Sequence, residues 1–142
     1  MKELLKRTER AIKEYGVTDF ISGMALGVDL DFAETVLKLR KKYAITLECA
    51  LPCPEQAAKW DKKAKSRYEK ILRKADIVTL VSDKYDSQCM LKRNRYMVDK
   101  SGLVIAVFNG IESGGTWYTM NYAKKEHKTI EIIDLYVFAV IK

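Results

Sequence analysis

The sequence predicts an α/β fold of three layers, a mostly parallel sheet with helices on both faces. Three observations carry this expectation. Short apolar runs of strand character alternate with amphipathic helical stretches along the chain. Parallel neighbours need right-handed crossovers, which the intervening helices supply. Glycine-rich turns stand twice where a strand runs into a helix, at Ser22-Gly23-Met24-Ala25-Leu26-Gly27-Val28-Asp29 and at Ser113-Gly114-Gly115-Thr116. A length of 142 residues, 48% of them hydrophobic, suits one domain over 1–142 with a core of its own.

Residues 2–15 carry Leu4, Leu5, Ala11 and Ile12 on one stripe and read as a helix, with Gly16 as its stop. Val17 to Ser22 reads as a strand. The next helix is announced by Asp31 with Glu34 three residues on, a capping-box spacing, and its apolar face is Phe32, Ala33, Val36, Leu37 and Leu39. Ile45 to Leu51 is a strand closed by Pro52 and Pro54. A basic helix follows from Gln56 to Lys74. Ala75 to Ser82 has the continuous apolar character of a strand covered on both faces. A helix over 89–100 bears Met90, Leu91, Met97 and Val98; Leu103 to Phe108 is a strand, Thr116 to Glu126 a helix and Thr129 to Ile133 a strand. The run Leu135 to Ile141 has strand propensity and is expected to add a further strand at the C-terminus.

Charge and composition narrow the function classes. The formal net charge is +7. Lys59, Lys62, Lys63, Lys65, Arg67, Lys70, Arg73 and Lys74, against Asp61 and Glu69, hold nearly all of that excess in one helix. Such a helix suits either a solvated face or a phosphate backbone. No apolar stretch has the length of a membrane span and the N-terminus has no signal-peptide core, so a cytoplasmic location and no membrane partner are expected. Cys49, Cys53 and Cys89 lack paired spacing and His127 is the single histidine, which predicts free buried thiols and no metal site.

A glycine turn at a helix start leaves backbone N–H groups aimed at one spot, where the helix dipole adds positive charge, and this is a phosphate seat. Gly114 and Gly115 form one such seat, with Ser113 and Thr116 beside them; Thr116 can give its hydroxyl to a phosphate oxygen or cap its helix. Gly23 and Gly27 would let the backbone approach a ligand or simply shape the turn, and Asp29 could accept a ribose hydroxyl or act as an N-cap. Both turns are expected to open on the carboxyl edge of the sheet. Arg93 can grip phosphate and Asn94 can read a base or hydroxyl, although four successive polar residues also describe a wet helix face. Trp60 and Trp117 are candidates for base stacking, against a packing role for each.

The runs Ile21–Asp29, Lys92-Arg93-Asn94-Arg95-Tyr96-Met97-Val98-Asp99 and Ser113–Thr116, with Gln56, Trp60 and Cys89-Met90 in support, resemble the YpsA-like branch of the SLOG superfamily from about Gly16 to Asp134. That superfamily also contains the LOG phosphoribohydrolases and the DNA-processing protein DprA. The resemblance implies a Rossmann-like domain that binds a nucleotide or nucleotide-derived ligand, with phosphate at the Gly-Gly-Thr turn and binding roles for Gly23, Gly27, Asp29, Arg93, Asn94, Ser113, Gly114, Gly115 and Thr116.

Two departures bear on activity. The LOG signature Gly-Gly-x-Gly-Thr-x-x-Glu ends in a catalytic glutamate, whose place falls here on Thr119, and a threonine cannot serve as that carboxylate. YpsA-like proteins open with a strand ending in a Thr-Gly-His-Arg-type motif, whereas this chain opens inside the first helix, so residues 1–15 read as an incomplete N-terminal region and 135–142 as an extra tail. The expectation is binding or sensing without turnover, with no cofactor identified and no catalytic residue assigned. The alternatives are a nucleotide-processing phosphoribohydrolase and a DprA-like nucleic-acid module acting through residues 59–74. A second copy of the chain is a further candidate partner.

Overall fold

The computed structural model describes residues 2–134, so the strand expected over 135–141 lies outside the described residues. The chain divides into two compact units, Met1–Arg93 and Asn94–Lys142.

In the first unit, α1 (Lys2–Tyr15) buries Leu4, Thr8 and Ala11, and the Thr8 hydroxyl is satisfied within the helix by donating to the Leu4 carbonyl at 2.7 Å. Gly16 ends α1 in the left-handed region, φ 66°. Strands β1 (Asp19–Ser22), β2 (Thr46–Leu51) and β3 (Ile77–Leu80) form a parallel sheet in the order β1-β2-β3, with Ser22 level with Cys49 and Cys49 level with Val78. Between β1 and β2 the chain crosses through α2 (Val28–Leu39), whose buried face is Leu30, Ala33, Val36 and Leu39. Between β2 and β3 it crosses through α3 (Lys62–Lys74), which buries Tyr68 and Ile71. Asp76, just before β3, accepts from the Leu47 N–H and from Arg40 Nη1, both at 2.8 Å, and so ties the sheet to the end of α2.

Three local expectations need correction. Helix α2 starts at Val28, not at Asp31, and Glu34 pairs with Arg67 instead of closing a capping box. The basic helix starts at Lys62, because the Asp61 carboxylate takes the Ala64 N–H at 2.8 Å and sets the N-cap there; Gln56 and Trp60 therefore lie in the turns before it. The strand covered on both faces is β2, which lies between two neighbours and buries Leu47 through Leu51. Among the described residues strand β3 pairs only with β2, and Ile77, Val78 and Leu80 are exposed.

The boundary between the units falls inside α4 (Cys89–Lys100). In the second unit β4 (Leu103–Phe108) and β5 (Thr129–Asp134) pair in parallel from Leu103↔Thr129 to Phe108↔Asp134. The crossover between them is α5 (Gly114–Lys125), which buries Met120 and Ala123. The fold is α/β, with helices alternating with parallel strands in open sheets.

Candidate functional site

The Gly23–Asp29 turn, between β1 and α2, is held by its own side chains. Ser22 Oγ donates to the Asp29 carbonyl at 2.8 Å and accepts from the Met24 N–H at 3.2 Å. Asp29 folds back from the first turn of α2, where its Oδ2 accepts from the Ala25 N–H at 3.2 Å. Burial pushes the Asp29 carboxyl above its ordinary value, an effect opposed by the Ala25 N–H and by the Arg93 charge. Met24 is buried with φ 59°, and Gly27 at φ 88° forms the N-cap of α2 without a side-chain cap. The first N–H groups of α2 therefore have neither an intrahelical partner nor a capping side chain.

Arg93 is only 5% exposed, and its guanidinium lies under this turn. Its Nη1 donates to the Gly23 carbonyl and to Gln56 Oε1 at 3.3 Å, while Gln56 Nε2 donates to the same Gly23 carbonyl at 3.4 Å. Desolvation lowers the Arg93 pKa, and Asp29 is the strongest influence in the other direction. A Cβ at position 23 would lie 2.9 Å from Arg93 Cζ and Nη1 and from Asp29 Oδ2. A side chain at position 23 would therefore have to displace the ends of this buried pair. Arg93 here is a buttress of the turn. Cys49, Cys53 and Cys89 are free and buried, as their spacing predicts. Burial pushes the Cys49 thiol up to about 12 and raises that of Cys53, which keeps these thiols protonated at neutral pH.

In the second unit Ser113, Gly114, Gly115 and Thr116 are all exposed at the start of α5, which opens at Gly114, two residues before the expected Thr116. Ser113 is the N-cap residue and makes no side-chain cap hydrogen bond. Gly114 sits at φ 87°, a conformation that demands glycine. Gly115 has no such demand, and a Cβ there meets nothing within 4 Å, so the space over it is open. The preceding loop closes on itself, with the Ile111 N–H donating to Asn109 Oδ1 at 3.0 Å and the Ser113 N–H to the Ile111 carbonyl at 2.9 Å.

Both tryptophans are half-buried and engaged in packing. Trp60 meets Tyr68 edge-on at 5.1 Å between ring centroids, and Trp117 stacks on Phe108 at 5.8 Å with 18° between planes. Asn94 belongs to the second unit and is half-buried on α4. Ser22 and Gln56 were not singled out by local chemistry, although both hold the first turn. Serine beside the glycine of a strand end is a weak signal for this role, and Gln56, 33 residues from Gly23, enters through the family resemblance and through no local signal of its own.

The family model described as the YspA SLOG family (YpsA) matches residues 1–138. The chain belongs to the YpsA SLOG family. Among relatives of this YpsA SLOG chain, the UPF0398 protein BH1768 of Halalkalibacterium halodurans is 30% identical over 131 residues, covering 90% of this chain and 69% of that protein. The SPbeta prophage-derived protein YoqJ of Bacillus subtilis is 36% identical over 138 residues, with 88% and 80% covered. A UPF0398 protein of Bacillus thuringiensis is 32% identical over 129 residues, with 89% and 70% covered. Among the described residues of this YpsA SLOG member, no helix is long and apolar enough to cross a membrane.

Proposed function

We propose that this SLOG protein binds a nucleotide or nucleotide-derived ligand and does not turn it over. The observation that carries the reading is the start of α5: glycine-opened, exposed, uncapped by Ser113, with open space over Gly115. Such a terminus offers unpaired N–H groups and the positive end of a dipole to a phosphate. The start of α2 has the same uncapped character, whereas α3 in the same chain is closed by the Asp61 carboxylate. A large aliphatic side chain stands beside each uncapped start: Leu26 is 54% exposed and Ile111 55% exposed. Apolar surface next to an anion seat suits a ligand with a ring as well as a phosphate. Thr119 at the place of the LOG glutamate supports binding without glycosidic chemistry.

The test is a thermal-shift screen of nucleotides against wild type and Gly115→Asp. At a concentration a hundred times its Kd, a ligand stabilises the folded state by about 2.7 kcal/mol. The aspartate fits sterically and its charge suits a helix N-terminus, so the variant should fold as well as wild type while its carboxylate repels phosphate. A nucleotide that raises the wild-type Tm and leaves that of Gly115→Asp unchanged supports the reading. No shift with any nucleotide contradicts it, and release of free base from a nucleoside monophosphate contradicts the absence of turnover.

A further inference from the structure

Helix α3 carries five of its seven cations on one face. Lys62, Lys63, Lys70, Arg73 and Lys74 are all exposed, and at 100° per residue they fall on the side opposite the buried Tyr68. None of these five cations makes an ion pair among the described residues. Arg67 is the exception in this helix: it stands at the border of that face, beside Lys74, and is engaged by Asp31 at 2.7 Å and Glu34 at 2.6 Å. From Lys62 to Lys74 the row runs about 18 Å along the axis, at 1.5 Å per residue.

Helix physics accounts for only part of this row. Arg73 and Lys74 lie in the last turn, where cations complement the dipole. Lys62 and Lys63 lie in the first turn, which has no acidic residue of its own, and there cations oppose the dipole. Lys70 stands one turn from Arg73 and Lys74, at spacings where like charges weaken a helix. Asp61 at the N-cap and Glu69, four residues before Arg73, offset part of this repulsion, and the positive excess that is left suits a surface whose counter-charge comes from a partner.

We propose that this face of α3 binds the phosphate backbone of duplex nucleic acid without reading its sequence. Lysines predominate, and they act on phosphate as point charges, not as the bidentate forks that read bases. The face has no apolar side chain to anchor a protein hot spot or enter a lipid surface, since Tyr68 and Ile71 are buried against the unit. It has no aromatic side chain on which single-stranded bases would stack. No residue of this surface belongs to the start of α5.

The experiment is fluorescence anisotropy of a labelled duplex titrated with the full chain at several salt concentrations. Five phosphate contacts predict a log–log salt slope of about −4 to −5, a several-hundred-fold loss of affinity between about 50 and 200 mM salt. The combined variant Lys62→Gln, Lys63→Gln, Lys70→Gln should reduce the slope by about 3 while leaving Tm unchanged or raised. A charge-matched control, Lys2→Gln, Lys6→Gln, Lys13→Gln on α1, should leave the slope nearly as in wild type, and so should Gly115→Asp. Equal loss in the α1 control would overturn the assignment, since net charge alone would then drive binding. Equal or tighter binding of polyglutamate, of anionic vesicles or of the single strand would overturn the choice of duplex, and absence of duplex binding at about 50 mM salt would overturn the proposal outright.

Discussion

Arg93 and Gly23 are 70 positions apart and answer to one another. The guanidinium occupies the volume that a side chain at position 23 would need, with Asp29 on the same spot. Gly23→Ala is therefore expected to destabilise the chain by about 1–3 kcal/mol through overpacking. Arg93→Met removes a donor from the Gly23 carbonyl and from Gln56 Oε1, and is expected to lower stability by about 2–3 kcal/mol. Urea unfolding measures both, and an unchanged midpoint in either variant would contradict the buttress. Asp29 makes this cluster pH-dependent in a defined direction. Its folded pKa is raised by burial, so the folded chain keeps a proton that the unfolded chain has released. Stability from this group is full below about pH 4 and falls as pH rises through the raised value. Asp29→Asn should remove that fall, and its stability relative to wild type should rise from about pH 4 upward in urea titrations; a constant difference would contradict the raised pKa. At this scale the glycine turns were legible, because few residues serve at a strand–helix junction. The role of Arg93 was not: four polar residues in a row describe an exposed face, and only the long-range pairing shows that one of them is buried.

Helix starts separate the elements of this chain. The structure closes α3 with a carboxylate and leaves α2 and α5 open at glycine-rich turns. Asp61→Ala should lower stability by about 1 kcal/mol, measured as a shift in the urea midpoint, and a shift near zero would mean that the cap contributes nothing. The order and type of the elements followed from periodicity, down to the limits of α4 and β4. The errors lie at starts and covers. Residues 56–60 have helical composition, yet it is the Asp61 cap that sets where α3 begins. The Asp31–Glu34 spacing mimics a capping box, but Arg67 of α3 draws both carboxylates to itself. An apolar run such as Ile77–Leu80 reports strand propensity and does not say which of its residues will be covered.

As a whole, the molecule is an α/β member of the YpsA SLOG family. Each unit carries one strand–glycine–helix junction with an uncapped start, and of the glycines at these two junctions only Gly115, at the start of α5, combines ordinary backbone geometry with open space. The +7 charge is a separate property, concentrated on α3, and its salt dependence is assigned to a different partner. The most direct measurement is isothermal titration of wild type and Gly115→Asp with the best nucleotide from the screen and with its nucleoside, which lacks the phosphate. The expected result is saturable binding of the nucleotide to wild type, at least tenfold weaker for the nucleoside, and at least tenfold weaker for the nucleotide with Gly115→Asp, each tenfold being about 1.4 kcal/mol. Equal affinity for nucleotide and nucleoside, or undiminished binding by Gly115→Asp, would contradict a phosphate seat at the start of α5.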